Sequence, residues 1–190
     1  MDRYYIERFL AKHARDIRGH VLEVGDLRYT RQFGGGQVER TDVLHVSAED
    51  PHATIVGDLA APGGIGEGLA DCFIATQTLQ FIYDVRAAVA NIHRALRPGG
   101  VALITVPCIS QIATYDMERW GEYWRFTHMA LERLFGDVFG EDRIEVDAFG
   151  NVLAAVAFMH GLVIGEVSAE ELNHFDPRYE LLLGVRAVKG

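Results

Sequence analysis

The chain has only two cysteines in 190 residues, Cys72 and Cys108. Both sit in apolar sequence with no further Cys or His at metal-ligand spacing, so they read as reduced core thiols rather than metal ligands or reactive groups. No apolar run approaches the roughly 20 residues that a bilayer span requires. Basic residues are also scarce: 18 Lys and Arg against 27 Asp and Glu leave a net charge of −9. That balance disfavours a phosphate-rich partner, because non-specific nucleic-acid binding rests on clustered Lys and Arg. Finally, Asp26 to Gln32 has no second or third glycine after Gly25, and the next ones come at Gly34 to Gly36. The spacing of a dinucleotide fingerprint is therefore missing.

What is present is a soluble composition, 49% hydrophobic and 24% charged, at a length that fits one domain over residues 1–190. The opening MDRYYIERFL is too charged and aromatic for a secretory signal, which makes a cytoplasmic location the expectation. Residues 3–18 predict an amphipathic helix with Ile6, Phe9, Leu10, His13 and Ile17 near one face, Tyr4 and Tyr5 packing as core, and a stop at Gly19. Strand signals recur at 20–24, 42–46, 53–57, 71–76 and 100–105 as near-continuous apolar runs, the pattern of parallel strands covered on both faces. Between the last two, Val85, Ala88, Val89, Ile92 and Leu96 fall at helical spacing and Pro98, Gly99 and Gly100 end the run, giving a βαβ unit.

The first half is short of helices. Residues 25–41 carry no clear helical pattern, and only Ser47 to His52 separates the second strand from the third. Since a parallel pair needs a crossover of about a dozen residues or more, either one of these runs is outside the sheet or the pairing is antiparallel. Missing helices would leave sheet surface uncovered, which admits a homodimer. After an aromatic and polar stretch at 109–125, Thr127 is placed to cap a helix to about Phe135. A sixth strand follows at 144–148, an apolar helix at 151–160 and a last strand at 180–188.

Four segments in order, VLEVGD (Val21 to Asp26), IVGDL (Ile55 to Leu59), DCFIATQTLQFIYD (Asp71 to Asp84) and LRPGGVALITVP (Leu96 to Pro107), resemble the class I S-adenosylmethionine-dependent methyltransferases, closest to the branch called methyltransferase type 11. The resemblance runs over most of the chain. It implies an α/β fold, a Rossmann-like sheet with helices on both faces and some first-half crossover helices shortened or missing, with S-adenosylmethionine over the carboxyl ends of the strands. Glu23, Gly25 and Asp26 would border the amino-acid end of this cofactor. Ser47 stands where the family has an acid for the ribose hydroxyls, with Glu49 and Asp50 just beyond. Asp58 matches the acceptor of the adenine amino group, beside Leu59, while Gln77, Thr78 and Leu79 would line the methyl-transfer side.

Methyl transfer to an oxygen usually needs a base, and His suits neutral pH. His128 is the first candidate, with Tyr115 and Asp84 behind it, whereas His13, His93 and His160 lie in helical patterns that favour structural roles. Trp120, Trp124 and Arg125 form a candidate substrate wall suited to a small molecule such as a sugar or glycosylated metabolite; a satellite core with Arg125 on an indole is the competing use of the same residues. The reading is a methyltransferase acting on an oxygen or nitrogen of a small molecule, with no nucleic-acid, membrane or metal partner. A catalytically inactive cofactor-binding domain is the alternative, drawn from the sparse glycine loop and the missing ribose acid. A nicotinamide dehydrogenase is more distant still.

Overall fold

The computed structural model describes residues 1–190. Seven strands are built from the apolar runs: β1 (Gly19–Val24), β2 (Val38–His45), β3 (Ile55–Val56), β4 (Ala70–Thr76), β5 (Leu96–Pro107), β6 (Ile144–Phe149) and β7 (Leu182–Val188). They form one sheet in the order β3-β2-β1-β4-β5-β7-β6. β1 to β5 run parallel, and β7 enters antiparallel between β5 and β6. The chain order reverses between β1 and β4, so loops leaving their carboxyl ends diverge and open a crevice there.

The helices are α1 (Asp2–Lys12), α2 (Arg28–Phe33), α3 (Val85–Ala95), α4 (Thr114–Trp120), α5 (His128–Phe139), α6 (Val152–Met159) and α7 (Ala169–Asn173). Side chains start four of them. Asp84 accepts from the Ala87 amide, Thr127 from Ala130, Asn151 from Ala154 and Ser168 from Glu171, each satisfying an orphan donor of a first turn. α3 and α5 bury Ala88, Val89, Ile92, Leu131 and Phe135 on one sheet face, while α1 and α6 bury Tyr5, Phe9, Leu10 and Ala155 on the other. The Tyr5 hydroxyl donates to the Leu172 carbonyl (2.9 Å), and burial raises its pKa to about 12. α1 stops at Lys12, and residues 14–16 form a separate turn of 3₁₀ helix, so the predicted helix to residue 18 is shorter than expected.

Two expectations are corrected. β2 and β3 are parallel neighbours, although no helix joins them. A two-residue strand pairing with Leu44 and His45 needs a return of only one strand step, and the loop 46–54 makes it. Thr54 fastens that loop: its hydroxyl donates to Asp42 (2.7 Å) and accepts from the Val43 amide (2.8 Å). Nor does the shortage of helices leave this part of the sheet bare. The loop after β3 packs Leu59 and Ile65 into the core beside Leu44 and Phe73, which removes the reason given for a homodimer.

Below the crevice, the buried His20 ring on β1 joins the Leu69 carbonyl (2.6 Å) to Asp42 on β2 (2.7 Å). Burial pushes the Asp42 carboxyl up, but donors from Thr54 and His20 and the charge of Arg40 outweigh it, and the net shift is below the ordinary 3.8. Its contribution to stability is complete above that value and is lost as pH falls through the folded pKa. Thr54→Val should lower unfolding free energy by about 1–3 kcal/mol, the usual cost of stranding buried polar partners, read as a lower urea midpoint at unchanged slope. An unchanged midpoint would mean that Thr54 does not hold β3.

Candidate functional site

The carboxyl ends of β1, β2 and β4 surround a cleft of about 550 Å³, within the usual range for small-molecule sites. Its floor is Val24 and Gly25 after β1, His45 and Val46 at the end of β2, and Thr76 to Thr78 after β4. One wall is Gly57 to Ala60. Phe81 to Tyr83 and Asp116, Trp120 and Tyr123 close the other side.

The floor is shaped by a buried carboxylate. Glu23 points away from the cleft into the start of α2, where it accepts from the Tyr29 amide (3.1 Å), the Thr30 amide (2.9 Å) and the Thr30 hydroxyl (2.6 Å). Leu27, the residue before α2, offers no side-chain cap, so Glu23 supplies it from the neighbouring strand. Burial raises the Glu23 pKa against these lowering hydrogen bonds, and the net shift is upward. This cost to the folded state grows as pH rises from the ordinary 4.5 through the folded value. The next residue but one, Gly25, has φ +89° and open space where a side chain would stand. Its backbone is thus exposed to whatever fills the cleft.

The wall at Asp58 is equally dependent on close approach. A Cβ on Gly57 would collide with the Gly64 carbonyl, and one on Gly64 with the Asp58 carbonyl. Asp58 Oδ1 accepts from the Ala60 amide (2.8 Å), leaving the second oxygen without a partner in the chain. Behind the loop, Asn91 on α3 donates to the Leu59 (2.7 Å) and Ala61 (2.9 Å) carbonyls, and Arg94 holds the Asn91 oxygen (2.8 Å). Asn91 is therefore a positioning residue for Asp58 and Leu59. At the end of β4, Gln77 takes φ +49° without being glycine, a conformation that stores strain. Its amide proton is bound by the Thr105 carbonyl (2.8 Å), while its side-chain Nε2 is buried without an acceptor.

Of the residues expected around the cofactor, Gly25, Asp58, Leu59, Gln77 and Thr78 line the cleft together. Glu23 and Leu79 stand behind its floor, the latter fully buried in the core. Asp26 accepts from the Arg28 amide (2.7 Å) outside the cleft. Ser47 also lies outside: its amide donates to His45 Nδ1 (3.0 Å) and its hydroxyl accepts from Glu49. His45 takes the place at the end of β2, with Asp50 Oδ2 at 3.8 Å from its Nε2 and Trp120 edge-on at 5.7 Å.

The expected general bases are placed elsewhere. His128 is a surface residue between Glu132 (3.3 Å) and Glu180 (3.9 Å), Tyr115 lies exposed beneath the Arg119 guanidinium (3.3 Å), and Asp84 caps α3. In the expected substrate wall only Trp120 reaches the cleft. Trp124 donates to the Ile82 carbonyl (3.0 Å) and stacks behind Tyr83, while Arg125 is consumed by Glu122 (2.7 Å) and the Gln111 carbonyl (2.6 Å). Sequence reasoning passed over His45, Phe81, Tyr83, Asp116 and Tyr123. Only His45 had a signal, as the last residue of an apolar run. His13, Glu145 and Asp147 also converge, but Lys12 already bridges Glu145 (2.6 Å) and Asp147 (2.7 Å).

A family model described as a methyltransferase domain matches residues 28–104. No curated protein matches the chain. Among solved structures, it is similar to a phosphoethanolamine N-methyltransferase 2 from Haemonchus contortus in complex with phosphomonomethylethanolamine and S-adenosylhomocysteine, at 15% identity and a TM-score of 0.60. That match covers 96% of this chain and 52% of the worm protein, so the chain spans about half its length. A methyltransferase from Archaeoglobus fulgidus gives a TM-score of 0.62 at 10% identity, covering 98% of this chain and 94% of the other. One from Mesorhizobium loti gives 0.60 at 15% identity, with 95% and 98% covered. At such identities the likeness concerns the fold.

Glu23→Ala would leave the buried Thr30 hydroxyl and two first-turn amides of α2 without their acceptor. We expect a loss of about 2–4 kcal/mol in urea unfolding. A loss below about 0.5 kcal/mol, the usual size of a surface substitution, would remove Glu23 from this role.

Proposed function

We propose that this chain, which has the fold of the class I S-adenosylmethionine-dependent methyltransferases, binds S-adenosylmethionine in the 550 Å³ cleft and transfers its methyl group to an oxygen or nitrogen of a small molecule. The observation that carries the reading is the position of this cleft, at the sheet's switch point with Gly25, Asp58 and Gln77 all on its surface. The residues fit the group chemically. The unpartnered Asp58 oxygen suits the adenine amino group, with the buried Leu59 as an apolar contact. His45 suits the ribose hydroxyls in place of the expected acid, and the open space over Gly25 suits the amino-acid end. The orphaned Nε2 of Gln77 is a donor awaiting an acceptor beside the methyl-transfer side.

The cofactor supplies a methyl group on a sulfonium, and the chain has to align a nucleophile with it and keep water out. Phe81, Tyr83, Trp120 and Tyr123 provide the excluding wall. A sugar acceptor drew on Trp124 and Arg125, which face away, so the support that remains is for a small molecule of open class. Acidic composition speaks against nucleic acid as the substrate. No helix is long and apolar enough to cross a membrane. The buried free thiol of Cys72, whose pKa burial raises, suits the reducing cytoplasm.

Calorimetric titration with S-adenosylhomocysteine should show one site per chain, and no heat of binding from folded protein would overturn the reading. Asp58→Ala should weaken that binding ten- to a hundredfold, about 1.5–3 kcal/mol for a charge-assisted hydrogen bond. Gln77→Gly should act in opposite directions, raising stability by about 1 kcal/mol through relief of left-handed strain while weakening the ligand. A variant that is both less stable and unchanged in binding would exclude a functional cause for that strain.

A further inference from the structure

A second cavity, of about 210 Å³, adjoins the cleft and shares Gln77, Phe81 and Asp116 with it. It lies beyond the end of β5, with Pro107, Ser110 and Gln111 on one side and Asp2 and Phe158 on another. A dry cavity of about 150 Å³ takes benzene, so this one has room for a single ring with a short substituent. Three carboxylates line it, those of Asp2, Asp116 and Glu122, and no Lys, Arg or His does.

The three are not equivalent. Glu122 is neutralised from outside the cavity by Arg125 (2.7 Å) and accepts from the Ala113 amide (2.8 Å). Asp116, on the first turn of α4, is the carboxylate at the junction with the cleft, and its side chain has no hydrogen bond or ion pair in the chain. A second feature points to a ligand independently of charge. Gln80 is 4% exposed and lies in the cavity wall; its Nε2 donates to the Gln77 carbonyl (2.9 Å), which fixes the amide orientation, and its Oε1 is left with no donor. A buried acceptor without a partner costs about 1–3 kcal/mol, and a donor-bearing ligand removes that cost.

We propose that this cavity receives the methyl acceptor as a small cationic amine, with Asp116 facing its ammonium, so that the reaction is an N-methylation. The inference rests on the methyl-transfer reading of the cleft and adds to it the charge and class of the second substrate. A neutral alcohol would satisfy Gln80 Oε1 but leave the Asp116 carboxylate uncompensated, whereas Glu122 already has Arg125 (2.7 Å). A carboxylate or phosphate group would meet only like charge in this cavity. The phosphorylated amine held by the Haemonchus protein would therefore find no cation here for its phosphate.

The chemistry balances with groups in place. The ammonium first gives one proton to the Asp116 carboxylate, which passes it to water. The freed nitrogen lone pair then forms the N–CH₃ bond while the S–CH₃ bond of S-adenosylmethionine breaks, its electron pair remaining on sulfur. The products are a methylated ammonium and S-adenosylhomocysteine.

The experiment titrates three matched pairs into protein saturated with S-adenosylhomocysteine at pH 7: benzylamine and benzyl alcohol, isopentylamine and isopentanol, and propane-1,3-diamine and propane-1,3-diol. At least one amine should bind tenfold or more tightly than its alcohol, and Asp116→Asn should bring that ratio within threefold. Gln80→Leu should weaken the preferred amine threefold or more. The same amine should take up label from S-adenosyl-[methyl-³H]methionine. If S-adenosylhomocysteine binds but no amine outbinds its alcohol, or if label passes to an alcohol instead, the amine assignment falls and the methyltransferase reading stands. Failure of the unaltered protein to bind S-adenosylhomocysteine brings down both. The wild-type ratio decides even where a variant does not fold.

Discussion

The geometry of the cleft depends on one buried carboxylate. Glu23 sits in a strand between the apolar Leu22 and Val24, buried from water; three donors from the first turn of α2 hold it instead. That exchange sets the direction in which the chain leaves β1. It draws α2 back against the sheet although the helix is only six residues long and has no cap of its own. Between the acid and the helix it must serve, the chain turns at Gly25, and the turn exposes backbone to the crevice. A glycine-rich phosphate loop achieves a similar approach by removing side chains; here a single glycine suffices because the carboxylate fixes the path on either side.

A second constraint acts from the opposite wall. The Gly57-to-Gly64 loop approaches itself too closely for any side chain at either end, and Asn91 ties its carbonyls to α3. The same loop buries Leu59 and Ile65, so the segment that replaces a crossover helix both covers the sheet and presents Asp58. Covering and presenting are thus one structural act. This explains how a chain with few first-half helices retains a full core.

The sequence was legible where burial is periodic or continuous. The central strands announced themselves as apolar runs, α3 through its spacing and α5 through its spacing and its Thr127 cap, whereas the Asp84 cap of α3 emerged only in the structure. β3 was misjudged because crossover length was treated as fixed, whereas it scales with the strand to be spanned, and Ile55–Val56 is two residues long. α4 was missed because it buries none of its residues and so has no periodicity to detect. Gly25, Asp58 and Gln77, expected from motif position, share the lining of the cleft. Glu23 was expected at the amino-acid end of the cofactor, but its partners in the chain, Tyr29 and Thr30, are defined only once α2 folds back. Asp116 and Tyr123 come from the aromatic segment whose place over the cleft is set by tertiary packing alone.

The order of the sheet also has a temporal meaning. β5 is the longest strand, and one of its two edges is closed only by β7, at residues 182–188. A ribosome delivering the chain from its amino end produces β1 to β5 and their helices long before that strand emerges. The nascent protein therefore carries an open, apolar strand edge from the completion of β5 until residues 182–188 emerge, the kind of surface that templates mispairing. Disruption of β7 would harm this protein less through the contacts that strand makes in the finished fold than by leaving the β5 edge open for good.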